Sequence, residues 1–557
     1  MATTENSYAS TVNPAPYSQA VFLSQKMIND SFSHMWQLAQ NEPDEKNPLR
    51  YFKYESRNGS LEFDVGKPTV SLQVTTNDPM LFFKLRMTRG KVSLFLSPNP
   101  KDDTKLELEI DNWVFAFSVK IERKQITKDS QEFREYKERA GLPNSNFSLA
   151  MLFIDASSTT KWNPGLSCFG KTDFLKNLTD QARSTFTNGI NEWLTYMNVK
   201  RTNIIGYSAR RQEEDKELNE YAPTFPPTSI DYSSYPWKGL DGSQKKSDNL
   251  DTNAISYLMM SNFQDPPVSG SIEYSGAWVD GDRDGTFVMS RGLFWPWMQS
   301  LMREIVIGMV PYPNEPVCYY SPSDPDLPFN TEMNFQVGDP LAQTNQYQFP
   351  EMKQGEVWKL SGEYRTSRKN AVNEIDMNDK MVVMQWCSDV SASLKFHPGK
   401  ELVDLYGSST FCFRAEHRSK VFTYTAMTFA ISWHIKFTMA AVEDGGLQFA
   451  ILRDTDTPPI QVTPEEEGNM RWSQDPKEVA KEWTDELSKS LRFALERVED
   501  RLVNGLADHH RLFLPGKGSY LMKDPIFSGN GDLLANLTFN GADPPKPEPS
   551  KRHLYTI

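Results

Sequence analysis

Apolar and polar residues alternate through the first third of the chain. Leu72 and Val74 are followed by Leu81, Phe83, Leu85 and Met87, then Val92, Leu94 and Leu96, then Leu106, Leu108 and Ile110, then Phe115, Phe117, Val119 and Ile121. A period of two places each set on one face of an extended chain, so the spacing predicts a meander of antiparallel strands with one wet face. Turn-rich stretches such as SPNPKDDT separate them, and a further strand, LAMLFID, ends at Asp155. Helical spacing flanks the meander. From Tyr17 to Gln40, Val21, Ile28, Phe32 and Met35 share one face; from Asp173 to Asn198 the stripe is Phe174, Leu178, Ala182, Phe186, Ile190, Trp193 and Met197. The second of these helices is about seven turns long.

A Pro- and Tyr-rich stretch, Gly206 to Asp251, reads as the connection between two halves. Beyond it a helix near Gly292 carries Phe294, Trp297, Leu301 and Ile305, and a Pro-rich crossing runs from Pro311 to Pro350. Strands are predicted in EVWKLSGEY, KMVVMQWCS, ASLKFH, STFCFRAEH and LQFAILR. The long run from Val421 to Val442 calls for a bend, a bulge or two strands. A helix starts after Asp475, with Pro476 at its first position and Glu478 placed for a capping box. Its stripe of Val479, Trp483, Leu487, Leu491, Leu495, Val498, Leu502 and Leu506 predicts a rod about 45 Å long, laid in a concave sheet. The closing segment, SYLMKDPIFSGNGDLLANLTF, is a β-unit.

Each half thus reads as helix, meander and longer helix. The expected organisation is a disordered leader (1–16), an N-terminal module (17–205), the connection (206–251), a C-terminal module (252–545) and a tail (546–557). The halves share no visible sequence identity, and two unrelated α+β units are the alternative.

Composition narrows the function. Lys plus Arg number 60 against 73 for Asp plus Glu, a formal charge of −13, which argues against nucleic acid as partner. Aromatic residues reach 12% while hydrophobic residues are only 38%, as expected if large rings fill thin sheet layers. Cys168, Cys318, Cys387 and Cys412 are scattered without a CxxC pair and read as reduced structural thiols. With no secretory signal at the N-terminus and no apolar run of about 18 residues, the expectation is a cytoplasmic protein without a membrane span.

No motif yields a catalytic residue, a metal ligand or a cofactor. GLSCFGKT, from Gly165 to Thr172, satisfies the P-loop expression and precedes a helix, but TTKWNP before it is not the buried strand a phosphate loop grows from. In VDGDRDGT, Asp280, Asp282 and Asp284 open like a calcium loop, yet the twelfth position is Arg291, so an Asp-Gly hairpin turn is the better reading. There is no G-x-S-x-G and no HExxH. His434, in ISWHIKF, reads as a satisfied sheet histidine. His509 and His510 suit a helix C-terminus, and PEEEG reads as a loop.

Three segments, TNAISYLMMSN (252–262), DGTFVMSRGLFWPWMQSLM (284–302) and GDLLANLTF (531–539), resemble the tubular lipid-binding (TULIP) superfamily, and within it the TULIP-type accessory proteins of clostridial neurotoxin gene clusters. The resemblance implies an α+β chain of two elongated modules, each a strongly curved antiparallel sheet wrapped around long helices. It also implies a protein without enzymatic activity. On that reading the chain holds a lipid or other apolar small molecule in a sheet-and-helix groove lined by Phe186, Ile190, Phe294, Trp297, Leu301, Trp483, Leu487 and Leu491. The alternative is a structural or accessory component of a protein complex, its core filled by those same residues; P-loop nucleotide binding comes third.

Overall fold

The computed structural model describes residues 12–41, 47–75, 80–99, 101–128, 130–139, 147–154, 161–170, 174, 178–211, 227–248, 250–280, 283–309, 311–313, 317–320, 329–332, 335–337, 356–369, 381–418, 422–441, 447–452, 460–468, 475–507 and 520–539. The chain opens with β1 (Gln19–Ser24) and α1 (Gln25–Asn41). It continues through β2 (Tyr51–Ser56), β3 (Gly59–Val65), β4 (Thr69–Gln73), β5 (Met80–Phe95) and β6 (Lys105–Ile126). Then come α2 (Gln131–Arg139), β7 (Phe147–Ile154), β8 (Lys161–Trp162), α3 (Asp180–Val199), β9 (Ile204–Arg211), β10 (Ser229–Tyr235), β11 (Ala254–Met260), β12 (Gly285–Met289) and α4 (Arg291–Gly308). Short ribbons follow: β13 (Pro311–Pro313), β14 (Val317–Tyr320), β15 (Phe329–Glu332) and β16 (Phe335–Val337). Long strands come next: β17 (Glu356–Lys369), β18 (Met381–Phe396), β19 (Leu402–Arg418), β20 (Phe422–Ala441), β21 (Leu447–Leu452) and β22 (Ile460–Gly468). The last elements are α5 (Pro476–Ala507), β23 (Tyr520–Phe527) and β24 (Leu533–Phe539).

The fold is α+β and mostly antiparallel sheet, part of it curled into a half-barrel. Among the described residues there are three large sheets. The N-terminal sheet runs β2-β3-β5-β6-β7-β9, with β4 also on β5 and β8 also on β6. The C-terminal sheet runs β17-β18-β19-β20-β21, with β22 also on β20. A central sheet, β10-β11-β1-β12-β24-β23, gathers strands from the start, middle and end of the chain.

The central sheet explains the first departure from the sequence pattern. Residues 19–24 form a strand, and the helix starts only at Gln25. Val21 and Leu23 pack into the main core, while Ala20 and Phe22 pack on the opposite face, where Phe22 stacks on Trp278. A strand buried on both faces shows no period of two, so its apolar run cannot be told from a buried helix. The strands predicted around MTRGK and DNW fuse into single long ones, β5 and β6. Gly90 lets β3 pair closely with β5, since a Cβ there would lie 2.0 Å from the Glu62 carbonyl oxygen, and Asn112 adopts a left-handed φ of 51° within β6. KMVVMQWCS and ASLKFH likewise join as β18, and β20 pairs with β19 in unbroken register rather than breaking in two. PEEEG is not a loop but the end of β22, paired with β20. Gly407 leaves the space that Trp433 occupies across the β19–β20 pair.

Two helix starts are informative. α3 begins at Asp180, not near Asp173: the Thr179 hydroxyl accepts from Ala182 N at 3.3 Å, and Phe174 and Leu178 are buried ahead of the helix. α5 starts as expected, with Asp475 Oδ1 accepting from Lys477 N at 2.9 Å. The Gly206 to Asp251 stretch carries β9 and β10, and the Pro311 to Pro350 stretch carries the β13–β16 ribbons; 212–226 and 338–355 lie outside the described residues, as do His509 and His510.

Candidate functional site

The apolar residues singled out in the sequence fall into two groups. Phe186 and Ile190 lie on α3, which packs on β2, β3 and β5. Phe186 meets Phe115 and Phe174 edge to face, each at 5.3 Å. Phe294, Trp297 and Leu301 lie on α4, and Trp483, Leu487 and Leu491 on α5, which packs against α4, β21 and β22. Trp483 stacks on Phe429 at 4.4 Å and leans on Phe411 at 5.0 Å; Phe294 contacts Trp297, Phe449 and Phe527. Seven of the eight residues are buried, and Trp297 is partly buried against the same cluster. Each apolar side chain so placed contributes about 1.5–3 kcal/mol relative to exposure.

The three segments that carry the sequence resemblance converge here. β11, from the first, pairs with β1; β1 pairs with β12, from the second; β12 pairs with β24, from the third. The turn before β24 also caps α4. Asp532 Oδ1 accepts from Arg291 N at 2.8 Å, and Trp295 Nε1 donates to the Gly531 carbonyl at 2.7 Å. Burial pushes the Asp532 carboxyl up from its ordinary range, partly offset by the Arg291 and Ser528 hydrogen bonds. The sequence held no signal for this cap, because the capping residue lies far from the helix it serves.

A polar cluster on the outer face of the C-terminal sheet was also missed. His397, in the β18–β19 turn, donates to Asp404 Oδ2 at 2.5 Å, and His434 on β20 donates to Asp404 Oδ1 at 2.8 Å. His434 is the satisfied sheet histidine its sequence setting indicated, stacked on Tyr406 at 4.2 Å. Asp404 is only 3% exposed. Burial alone would raise its carboxyl, but the two histidine hydrogen bonds prevail and hold it below the usual carboxylate range. The turn reaches the central sheet, with Gly399 N donating to the Phe527 carbonyl at 2.8 Å and Phe527 N donating to the Lys400 carbonyl at 3.1 Å.

The two lures look different in space. Before the P-loop match, β8 runs antiparallel to β6; within it, Cys168 bridges Val114; and among the described residues the next α-helix, α3, opens at Asp180. Lys171 and Thr172 lie outside the described residues. In the acidic stretch, Asp284 binds Lys26 at 2.8 Å. The segment is not a hairpin, because the preceding strand β11 and β12 are both partners of β1 and not of each other. Among the described residues, no three His, Cys, Asp or Glu side chains are grouped to hold a metal ion, and no helix is long and apolar enough to cross a membrane.

No family profile matches the chain, and no curated protein matches it. Among solved structures, P47 from Clostridium botulinum A2 aligns with 94% of this chain and 98% of its own at 10% identity and a TM-score of 0.38. P47 of Clostridium botulinum E1 aligns with 96% and 100% at 9% identity and a TM-score of 0.41. The chain is thus similar along most of its length to proteins of a clostridial source, at a degree of likeness that transfers no site and no activity.

Proposed function

We propose that the protein is a non-enzymatic accessory component that acts through its surfaces, with its sheet-and-helix grooves filled by its own side chains. The observation that carries this reading is the closed ring packing of Trp483 between Phe411 and Phe429, and of Phe294 among Trp297, Phe449 and Phe527, at the positions a groove lining would occupy. A lining that touches itself leaves an apolar guest little to replace, and protein interiors pack to such density when the core is complete. On this reading the chain comprises two TULIP-like modules, one around α3 and one around α4 and α5, and resides in the cytoplasm with a protein partner.

The second reading, a carrier of a lipid or apolar small molecule, is favoured by Trp297, which alone of the eight is only partly buried and so stands at the margin of the cluster. Organic extraction of protein purified from its native source, followed by mass spectrometry, separates the two. The accessory reading expects no lipid in molar proportion; a stoichiometric lipid that is lost in Trp297→Ala would overturn it in favour of the carrier.

A further inference from the structure

Cys387 and Cys412 are far apart in sequence but partners in space. On β18 and β19, residue 387 lies directly across from residue 412, between the Trp386–Phe413 and Ser388–Phe411 pairs. Facing residues in an antiparallel pair have Cα atoms about 4.5 or 5.5 Å apart, according to the kind of pair. Both spacings fall inside the roughly 4.4–6.8 Å that a disulfide spans. Facing residues also share a side of the sheet. Cys412 lies on the outer side: Phe411 and Phe429 point into the core, and Cys412 and Thr428 alternate with them. Cys412 is a free, half-buried thiol, and the Thr428 hydroxyl donates to its Sγ at 3.6 Å. The remaining cysteines have no such counterpart: Cys318 faces Thr331, and Cys168 bridges Val114.

We propose that Cys387 and Cys412 are a reversible cross-strand redox pair, a modification site closed by a low-molecular-weight disulfide such as oxidised glutathione. One cysteine thiolate attacks a sulfur of glutathione disulfide, forming a mixed disulfide and releasing one glutathione thiolate. The second cysteine, having lost its proton to solvent, attacks the protein sulfur of that mixed disulfide and releases the second glutathione thiolate, which takes up a proton. Two protein thiols are oxidised and one glutathione disulfide is reduced to two thiols. The bond ties β18 to β19 beside Phe411, the residue on which Trp483 of α5 leans. Oxidation therefore clasps the sheet beneath α5.

The test is incubation of the full-length protein with oxidised glutathione, then thiol counting, intact mass and non-reducing peptide mapping. The expected result is loss of two of the four thiols, a mass lower by two hydrogens, and a peptide joining Cys387 to Cys412, all reversed by dithiothreitol. A Cys168→Ser/Cys318→Ser variant should behave identically, while Cys387→Ser should stop at a glutathione adduct on Cys412. The oxidised protein should melt higher than the reduced one, and Cys387→Ser/Cys412→Ser should lose that difference. Four surviving thiols, glutathione adducts alone in the unaltered protein, or a linked peptide involving Cys168 or Cys318 would overturn the proposal.

Discussion

Under the N-terminal sheet, α3 is seated against rings that precede it in the chain, whereas under the C-terminal sheet α5 is seated on a second helix. In the first region Phe169 and Phe174 pack on Trp113, and Phe174 and Phe115 flank Phe186. Trp193 is fixed by donation to the Pro48 carbonyl at 2.8 Å. In the second, α4 lies against α5 and is capped by Asp532 from the central sheet. A single stripe of helix cannot fill a curved sheet, so each region recruits further elements, α1 and the rings ahead of α3 in one case and α4 in the other. The apolar residues of both regions belong to one contiguous core that passes through the inner face of the central sheet.

That continuity is the first thing to break. Leu491→Asp and Ile190→Asp each place a charge without a partner in the core, at a cost of about 3–5 kcal/mol. Both should lower the same calorimetric transition. Two separable transitions, each sensitive to one variant, would show that the regions fold independently. Trp483→Leu comes next, at about 2–3 kcal/mol, because it removes ring contacts with Phe411 and Phe429 and leaves a partly collapsed cavity. An unchanged melt would mean the indole lines open space.

Asp404→Asn sharpens the contrast, since the N-terminal sheet shows no comparable histidine–carboxylate cluster among the described residues. Loss of two charge-assisted hydrogen bonds should cost about 1.5–3 kcal/mol near neutral pH. The carboxyl is depressed in the folded state, so its contribution is full above the ordinary carboxyl range and fades as pH falls through the lower folded value. Urea titrations should therefore show wild type and Asp404→Asn converging as the solution is acidified below that range; a gap that stays constant with pH would refute the assignment. The smallest effect belongs to Glu496→Gln on the outer face of α5. Its ion pair with Arg492 is solvent-exposed, and melting should shift by no more than about 0.5 kcal/mol in stability.

Much of this was legible from spacing alone. One-sided strands such as β5, β6 and β20 announce themselves by alternation, and α5 by its capping residues and stripe. β1 was hidden because both its faces are buried, and the start of α3 because buried Phe174 and Leu178 extend the helical spacing beyond the helix. The eight apolar candidates could be named, but their packing could not: the contacts of Trp483 with Phe411 and Phe429 join residues from three separate elements.

The sequence by itself determined which faces of the strands and helices are apolar, where α5 is capped, and that the chain carries a net charge of −13. These are local properties, fixed by side-chain chemistry and by the periods of 2.0 and 3.6 residues. Only the tertiary structure decided that β1 lies between β11 and β12, that Asp532 caps α4, that His397 and His434 share Asp404, and that Cys387 faces Cys412. Each of these depends on strand register and order. Neither is written in any short window of sequence, because both are set by how distant apolar faces are buried together.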